Sequence, residues 1–513
     1  MATATDNRRI AKNTLILYVR MFLTIIVNLY TVRVIWQVLG VDDYGVYNVV
    51  GGIVTMFAFL NSAMVASSQR FISFELGRGD TEKLHRVFCI SVTVHFLLAI
   101  AVLLLAETIG LWFLNAKLNI PPDRITAANW VYQCSVISFI VGIASVPYNS
   151  CIVAHEHMKV YGYFGILEVL LKLAIVFLLM LIPFDKLITY AILVLVVSIL
   201  MRFIYGIYCK RHFPECRYSY VSDHHLLRDM FSFAGWGFIG NIGLTVRDQG
   251  MNIVVNLFFN VAVNAAKGIA SQVSAVVSGF AQNFLMALNP QITKLYAVGN
   301  IDRMLRLTFS GCKYAIFLLM IFIIPLFFAA GQILELWLGD VAPYTVGFLR
   351  LALASAIIDC AAGPLITAIQ ATGHIKKFQI VLASIMVLNL PLAWLWLTFD
   401  ASPYIVAIVA CATSLFAFIA RLMLVHELIV FDYSNFIRIV VIRSLPTLII
   451  SSLISWAIYN NTPSTIGGVA VFCILSAIVS GIMIFTIGLQ NNERASITEA
   501  ILQKFRIVKN GHK

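Results

Sequence analysis

Apolar windows of about 20 residues recur along the whole chain and alternate with short polar connections. Each window is long enough to cross a hydrocarbon core of about 30 Å as an α-helix. The pattern therefore predicts an all-α polytopic membrane protein with about fourteen transmembrane helices and with both termini on one side. The predicted spans are 13–35, 44–68, 86–114, 125–153, 160–182, 187–208, 231–258, 263–289, 306–330, 346–370, 379–398, 404–425, 438–459 and 466–489.

Two short sequence echoes predict an internal repeat. At a shift of 217 residues, segment 147–159 lies over 364–376, with proline, isoleucine, alanine, histidine and lysine at matched positions. Near a shift of 220 residues, segment 79–86 lies over 299–306. Because an even number of spans intervenes, the two halves have the same topology, which predicts a parallel repeat about an axis along the membrane normal. Two such halves are suited to alternating access by rocking.

The repeat also predicts the domain organisation, because the longest connection follows the sixth span. The last two spans have no counterpart in the repeat and are interpreted as an addition to the two lobes. We predict a six-span N-lobe at 1–208, a cytosolic connection at 209–229, a six-span C-lobe at 230–430, two further spans at 431–490 and a basic cytosolic tail at 491–513.

Composition and charge agree with the membrane class. Hydrophobic residues make up 60% of the 513 positions and charged residues 12%, far below the roughly 25% that is typical of soluble domains. Most Lys and Arg residues of the connections lie on the side of the termini, and the opposite side has only Lys117, Arg124 and Lys186. The positive-inside rule therefore predicts cytoplasmic termini. The net charge of +12 reflects this topology, and no basic and aromatic platform indicates nucleic-acid binding.

The nine cysteines form no CxxC motif and are odd in number. His155 and His157 flank Glu156 in a short connection, but the sequence offers no third ligand beside them. We therefore expect no disulfide, no metal site and no cofactor.

Several basic residues lie within the predicted spans, away from their ends. An arginine at the centre of a lipid-exposed helix costs roughly 2.5 to 3.5 kcal/mol on insertion scales, so such residues normally face protein or a water-filled cavity. We predict a cationic cavity that binds an anionic cargo, and phosphate is the obvious candidate because guanidinium groups bind its oxygens in bidentate fashion. The predicted cavity residues are Arg20, Arg33, Lys172, Arg247, Lys267 and Lys313.

Acidic residues within the spans are fewer than the basic ones. Glu168, Asp248 and Asp359 are predicted either to pair with the bases or to bind a coupling ion. Glu168 and Lys172 are four residues apart on one helix face, and Asp248 adjoins Arg247, so intramembrane pairing stays open for both. The arginines near span ends are predicted to extend their head groups to the membrane boundary, and these are Arg70, Arg202, Arg350, Arg421 and Arg443.

Five segments resemble one known family. They are Leu-Gly-Val-Asp-Asp-Tyr-Gly-Val-Tyr at 39–47, Gly-Arg-Gly-Asp at 77–80, Ile-Pro-Pro at 120–122, Asn-Ala-Ala at 264–266 and Asn-Pro-Gln-Ile-Thr-Lys at 289–294. They look like the polysaccharide-transporter branch of the multidrug/oligosaccharidyl-lipid/polysaccharide (MOP) exporter superfamily, and within it like Wzx-type flippases for O-antigen and capsular repeat units. The resemblance covers nearly the whole chain, and the family's layout of six, six and two helices agrees with the predicted repeat.

The resemblance implies a flippase rather than an enzyme. It would move an undecaprenyl-diphosphate-linked oligosaccharide from the cytosolic to the periplasmic leaflet of the bacterial inner membrane, for synthesis of O-antigen, capsule or exopolysaccharide. Cationic cavity residues would attract the diphosphate or acidic sugars. The implied partners are this cargo, membrane lipid, a coupling ion such as Na⁺ or H⁺, and other polysaccharide assembly proteins.

Three alternatives remain open. A multidrug extruder of the same superfamily would need acidic residues for organic cations, and the first predicted span has none. A flippase for a lipid-linked peptidoglycan precursor shares the fourteen-span layout. A membrane enzyme that processes glycans would need a catalytic pair, and the adjacent Asp42 and Asp43 point in different directions and suit helix capping or a solvated loop better.

Overall fold

The structure is a computed structural model that describes residues 4–55, 58–117, 120, 122–259, 261–339, 341–399, 402–495 and 498. The side chains of some helical positions in these ranges, Arg33 and Asp42 among them, lie outside the description. The described residues form helices joined by short connections and contain no β-strand. The all-α prediction is therefore confirmed.

The helices of the first half of the chain are α1 Ala4–Thr55, α2 Ala58–Arg78, α3 Thr81–Leu105, α4 Leu111–Lys117, α5 Ile125–Ala154, α6 Met158–Leu181 and α7 Lys186–His212. Those of the second half are α8 His224–Phe258, α9 Val261–Ala297, α10 Ile301–Phe328, α11 Ala330–Leu338, α12 Thr345–Ala361, α13 Gly363–Thr372, α14 Lys376–Val387, α15 Asn389–Leu397, α16 Ile405–Leu428, α17 Tyr433–Phe436, α18 Ile442–Asn460 and α19 Ile466–Met483. Turns of π-helix at Ala106–Gly110 and Ile437–Val441 join α3 to α4 and α17 to α18.

Among the described residues, ten helical stretches are long and apolar enough to cross a membrane. They coincide with ten of the fourteen predicted spans and are Thr81–Ala116, Pro122–Ala154, Met158–Leu181, Lys186–His212, Ile301–Phe328, Thr345–Thr372, Lys376–Leu397, Ile405–Leu428, Tyr433–Asn460 and Ile466–Gly488. Helices α8 and α9 coincide with two further predicted spans but are not among the ten. These two helices carry Arg247 and Lys267, and polar side chains of this kind normally face protein or water rather than lipid.

The predicted connection between the first two spans is not present. Helix α1 continues from Ala4 to Thr55, through the segment 36–43 that was expected to separate span 13–35 from span 44–68. No proline interrupts this segment. Asp43, expected in a capping or solvated position, is instead buried and accepts a hydrogen bond from Arg124.

The described residues divide into two compact units. The N-terminal unit contains Ala11–Asn241 and Thr293–Gly299, and the C-terminal unit contains Ile242–Ile292 and the chain from Asn300 onward. The division falls within α8, whereas the predicted connection at 209–229 precedes this helix and stays a prediction.

Each unit has its own apolar core. In the N-terminal unit, residues of α1, α3, α5 and α7 form the largest cluster, with Phe88, Tyr132 and Ile152 fully enclosed. In the C-terminal unit, Leu319 of α10 and Leu353 of α12 pack in a corresponding cluster. The last two long helices belong to this unit, since α19 and the residues after it pack against α10 and α11.

Backbone features recur at the positions that the sequence echoes matched. Gly79 and Gly299, 220 residues apart, both have positive φ angles of 74° and 75°. The residue after each glycine caps the next helix: Asp80 accepts a hydrogen bond from the backbone of Lys83, and Asn300 accepts one from the backbone of Arg303. The second echo behaves similarly, since its positions 156 and 373 are held by Glu156 and Gly373, with φ angles of 61° and 82°. The two halves therefore share turn geometry as well as sequence.

An ionic clamp joins three elements of the N-terminal unit. Arg124, in the turn before α5, binds Asp43 of α1 and, at 2.6 Å, Asp185 before α7. Asp185 also caps α7 by accepting hydrogen bonds from the backbone of Leu187 and Ile188. Partial burial opposes ionisation of Asp185, but these hydrogen bonds and Arg124 outweigh it and hold the pKa of the carboxyl below its usual value. The clamp therefore fixes the ends of α5 and α7 relative to α1.

Candidate functional site

The C-terminal unit brings three charged side chains together from three helices. Arg247 comes from α8, Asp359 from α12 and Arg421 from α16. Nη1 of Arg247 lies 3.7 Å from Oδ2 of Asp359, and Nη1 of Arg421 lies 3.8 Å from Oδ1. One carboxylate is thus shared by two guanidinium groups.

Further polar groups complete this arrangement. Ser414 of α16 donates a hydrogen bond to Oδ2 of Asp359 at 3.1 Å. Nε of Arg247 donates to Oδ1 of Asp248 at 2.9 Å, and its Nη1 lies 3.4 Å from Sδ of Met386. Asp359 is only one-third exposed, so its contacts with the two arginines are poorly screened by solvent.

A third base lies beside Arg247. Nζ of Lys267, on α9, donates a hydrogen bond to Oδ1 of Asn252 on α8 at 2.6 Å. Lys267 also interacts electrostatically with Asp248 and Arg247. Three bases therefore face two acids, and this group keeps a net positive charge suited to an anion. We call it the cationic cluster, and it comprises Arg247, Asp248, Lys267, Asp359 and Arg421.

Two glycines bring α8 against α14 and α15, and they determine where Arg247 points. A Cβ atom on Gly243 would lie 2.7 Å from Cα of Ala383, and one on Gly250 would lie 2.7 Å from a Cδ atom of Leu390. Positions 243, 247 and 250 share one face of a helix. Arg247 therefore projects between the two close contacts, where it meets Met386.

Arg421 is a residue that the sequence analysis missed. It was expected to extend from a span end to the membrane boundary, and this prediction is wrong because its side chain is only 5% exposed and lies next to Asp359. Its Nε and Nη1 atoms have no hydrogen-bond partner among the described residues. A sequence signal was available, since Asp359 and Arg421 lie at comparable distances from the starts of two spans that run in the same direction.

In the N-terminal unit, one face of α6 carries the other described cationic residues. Cζ of Arg20, from α1, lies 4.5 Å from the centre of the Tyr161 ring. A Cβ atom on Gly165 would lie only 2.1 Å from Nε of Arg20, so the glycine makes room for the guanidinium group. Nζ of Lys172 donates to Glu168 at 2.7 Å, which is the pairing that the sequence left open. Tyr161, Gly165, Glu168 and Lys172 follow helical spacing along this face.

Lys313 has different surroundings. Its side chain is completely buried, and Nζ donates to both carboxylate oxygens of Glu493 at 2.7 Å. Tyr314 donates a further hydrogen bond to Glu493 at 2.7 Å. This geometry favours a structural ion pair, whereas the sequence predicted a cavity residue. Arg33 lies in α1, and its side chain is outside the described part of the chain.

Two family models match the chain. Residues 10–296 match a model described as polysaccharide biosynthesis protein, and residues 238–395 match one described as MatE. Comparison with curated protein sequences gives no significant match.

Solved structures of MATE transporters have a similar fold. An outward-facing multidrug resistance MATE family transporter of the MOP superfamily has 13% sequence identity and a TM-score of 0.71, and the match covers 82% of this chain and 96% of the other. A MATE protein in the straight conformation has 13% identity and a TM-score of 0.70, with coverage of 82% and 97%. A MOP superfamily transporter from Pyrococcus furiosus, described as having a binding pocket of reverse polarity that suggests a different function, has 13% identity, a TM-score of 0.66 and coverage of 81% and 96%.

Proposed function

Because the chain belongs to the polysaccharide biosynthesis protein family, we propose that it is a flippase for undecaprenyl-diphosphate-linked oligosaccharide repeat units in a bacterial inner membrane. The chain is a multi-pass membrane transporter of the MOP superfamily, and the MATE-like fold class predicted from the sequence is confirmed. The proposed cycle alternates between inward-open and outward-open states and supplies O-antigen, capsule or exopolysaccharide synthesis. Both termini are placed in the cytoplasm by the distribution of basic residues.

The observation that carries this proposal is the cationic cluster. A diphosphate has several anionic oxygens, and guanidinium groups bind such oxygens through paired, charge-assisted hydrogen bonds. The donors of Arg421 that lack a partner and the shared carboxylate of Asp359 leave bonding capacity for an anion. An organic cation would instead meet repulsion from the excess positive charge. The cluster therefore favours a lipid diphosphate over a cationic drug.

The N-terminal unit supplies the remaining proposed contacts. Arg20 and Lys172 are proposed to guide the diphosphate or acidic sugars, and Arg33 keeps this role as a proposal from the sequence. Glu168, Asp248 and Asp359 are proposed to balance these charges or to bind the coupling ion, Na⁺ or H⁺. Membrane lipid contacts the prenyl chain of the cargo, and other polysaccharide assembly proteins act before and after translocation.

Deletion of the gene in the source bacterium tests the proposed cargo. We expect surface polysaccharide to disappear and a complete repeat unit on undecaprenyl diphosphate to accumulate in the cytosolic leaflet, as measured by extraction of lipid-linked intermediates and leaflet-specific labelling. Complementation with the intact gene should restore both. Unchanged glycan with new sensitivity to cationic drugs would identify an extruder instead, and accumulation of a peptidoglycan precursor would identify the other flippase.

Replacing Gly165 by alanine tests the position of Arg20 without removing its charge. The new methyl group would lie 2.1 Å from Nε of Arg20 and must displace the guanidinium group from Tyr161. We expect transport to fall about two- to fivefold, since a cation–π contact of this kind contributes about 0.5 to 1 kcal/mol. Gly142→Ala is the matched control, because a Cβ atom there meets nothing within 4 Å. Equal glycan levels in the two variants would remove Arg20 from the proposed site.

A further inference from the structure

Three cysteine thiols converge in the N-terminal unit, at the ends of α5 and α7. Cys151 lies near the end of α5, Cys209 in the last turn of α7, and Cys216 in the short 3₁₀ turn that follows. All three residues are completely buried. The Cys216 thiol forms hydrogen bonds with the thiols of both Cys151 and Cys209. The sequence spacing gave no indication of this arrangement.

A carboxylate is buried beside the thiols. Glu215 is 6% exposed, and the ligand atoms of Cys151, Glu215 and Cys216 all lie within 4.8 Å of one another. Nε2 of His155 lies 2.5 Å from Oε1 of Glu215, and the His155 ring stacks on Phe213 at 4.1 Å. A carboxylate that is removed from water needs strong partners, and a metal ion together with an imidazole would meet that need.

We propose that this cluster is a structural Zn²⁺ site, with Cys151, Cys216 and Glu215 as ligands and Cys209 as the fourth. Zinc prefers four tetrahedral ligands with Zn–S distances of about 2.3 Å and Zn–O distances of about 2.0 to 2.2 Å. Ligand atoms of such a site are separated by less than the observed 4.8 Å limit, so small side-chain rotations bring them into position. His155 acts from outside this set by orienting the carboxylate of Glu215.

The donor set and its surroundings favour zinc over the other uses of clustered thiols. The carboxylate disfavours copper(I), which prefers sulfur ligands alone. By the predicted orientation, the cluster faces the cytosol, where a disulfide is rare. Three thiolates, one carboxylate and Zn²⁺ would leave negative charge, and Arg202 acts electrostatically on Cys209 while His85 and His155 act on Glu215. The surrounding positive groups therefore suit a metal–thiolate centre.

Such a site would fasten the connection after α7 to the end of α5. The segment 213–217 contains two of the four ligands, and the other two are at the ends of long helices. Metal binding would then stabilise the fold by linkage, because the unfolded chain lacks the preformed site. This role is independent of the transported cargo.

Metal analysis of the purified full chain tests the proposal. We expect one zinc per chain after growth in zinc-supplemented medium, measured by inductively coupled plasma mass spectrometry. Cys151→Ser and Cys216→Ser should each lose the metal, whereas the control Cys134→Ser, a buried cysteine of the same α5 helix, should retain it. Substitution with Co²⁺ should produce a thiolate-to-metal charge-transfer band that Cys216→Ser removes.

A gentler variant keeps the test decisive if a cysteine variant fails to fold. His155→Gln retains every proposed ligand, and we expect it to weaken Zn²⁺ binding about 10- to 100-fold, as is typical for loss of a group that orients a metal ligand. Zinc at background level in the unsubstituted protein would overturn the proposal. A Cys209–Cys216 or Cys151–Cys216 disulfide in protein alkylated before lysis, detected by mass spectrometry, would overturn it as well.

Discussion

Arg247→Ala should lower transport about 10- to 100-fold, because a hydrogen bond to a charged group contributes about 1.5 to 3 kcal/mol. The substitution removes one of the two guanidinium groups that face Asp359 and lowers the positive charge of the cationic cluster. Surface polysaccharide in a complemented deletion strain measures the effect. We expect Arg421→Ala to behave similarly, since its side chain contacts the same carboxylate.

Matched variants separate a role in binding from a role in folding. Arg247→Lys keeps the charge but loses the planar fork, so it should retain intermediate transport. Arg350→Ala is the control, because this arginine of the same unit donates to the backbone oxygen of Phe327. The amount of protein in the membrane should be equal in all four variants. Normal glycan in both Arg247→Ala and Arg421→Ala would remove the cationic cluster from the proposed site.

The second large effect concerns stability. Lys313→Met should destabilise the protein by about 3 to 5 kcal/mol, because it leaves the carboxylate of Glu493 without its charged partner in a largely buried position. Glu493→Gln should have a comparable effect through the completely buried ammonium group of Lys313. The midpoint of thermal unfolding in detergent, measured at one protein and detergent concentration, reports both changes.

The double variant Lys313→Met/Glu493→Gln decides between the two roles of Lys313. Removing both charges avoids an uncompensated ion, so most of the lost stability should return. Transport should return with it if the pair is structural. A stable double variant that transports no cargo would instead support the cavity role that the sequence predicted for Lys313.

Hydropathy and repetition were sufficient to predict the class and layout of the protein. A window of apolar residues reports directly on membrane crossing, because the free energy of transfer into lipid sums over neighbouring residues. The sequence echoes matched positions that share turn geometry, as at Gly79 and Gly299, because a positive φ angle strongly favours glycine. Helix continuity was harder to predict, since the polar segment 36–43 contains no proline and is helical within α1.

The chain by itself determined that this is an all-α membrane transporter built from two similar halves, and which charges require protein or water around them. Only the tertiary structure decided the partners of those charges. Arg421 meets Asp359, and Lys313 meets Glu493 across 180 positions of sequence. Helical periodicity gives the direction of a side chain on its own helix, but the partner depends on which helices pack together and at what depth. The same reason hid the thiol cluster, since its residues come from separate elements that meet only in the folded chain.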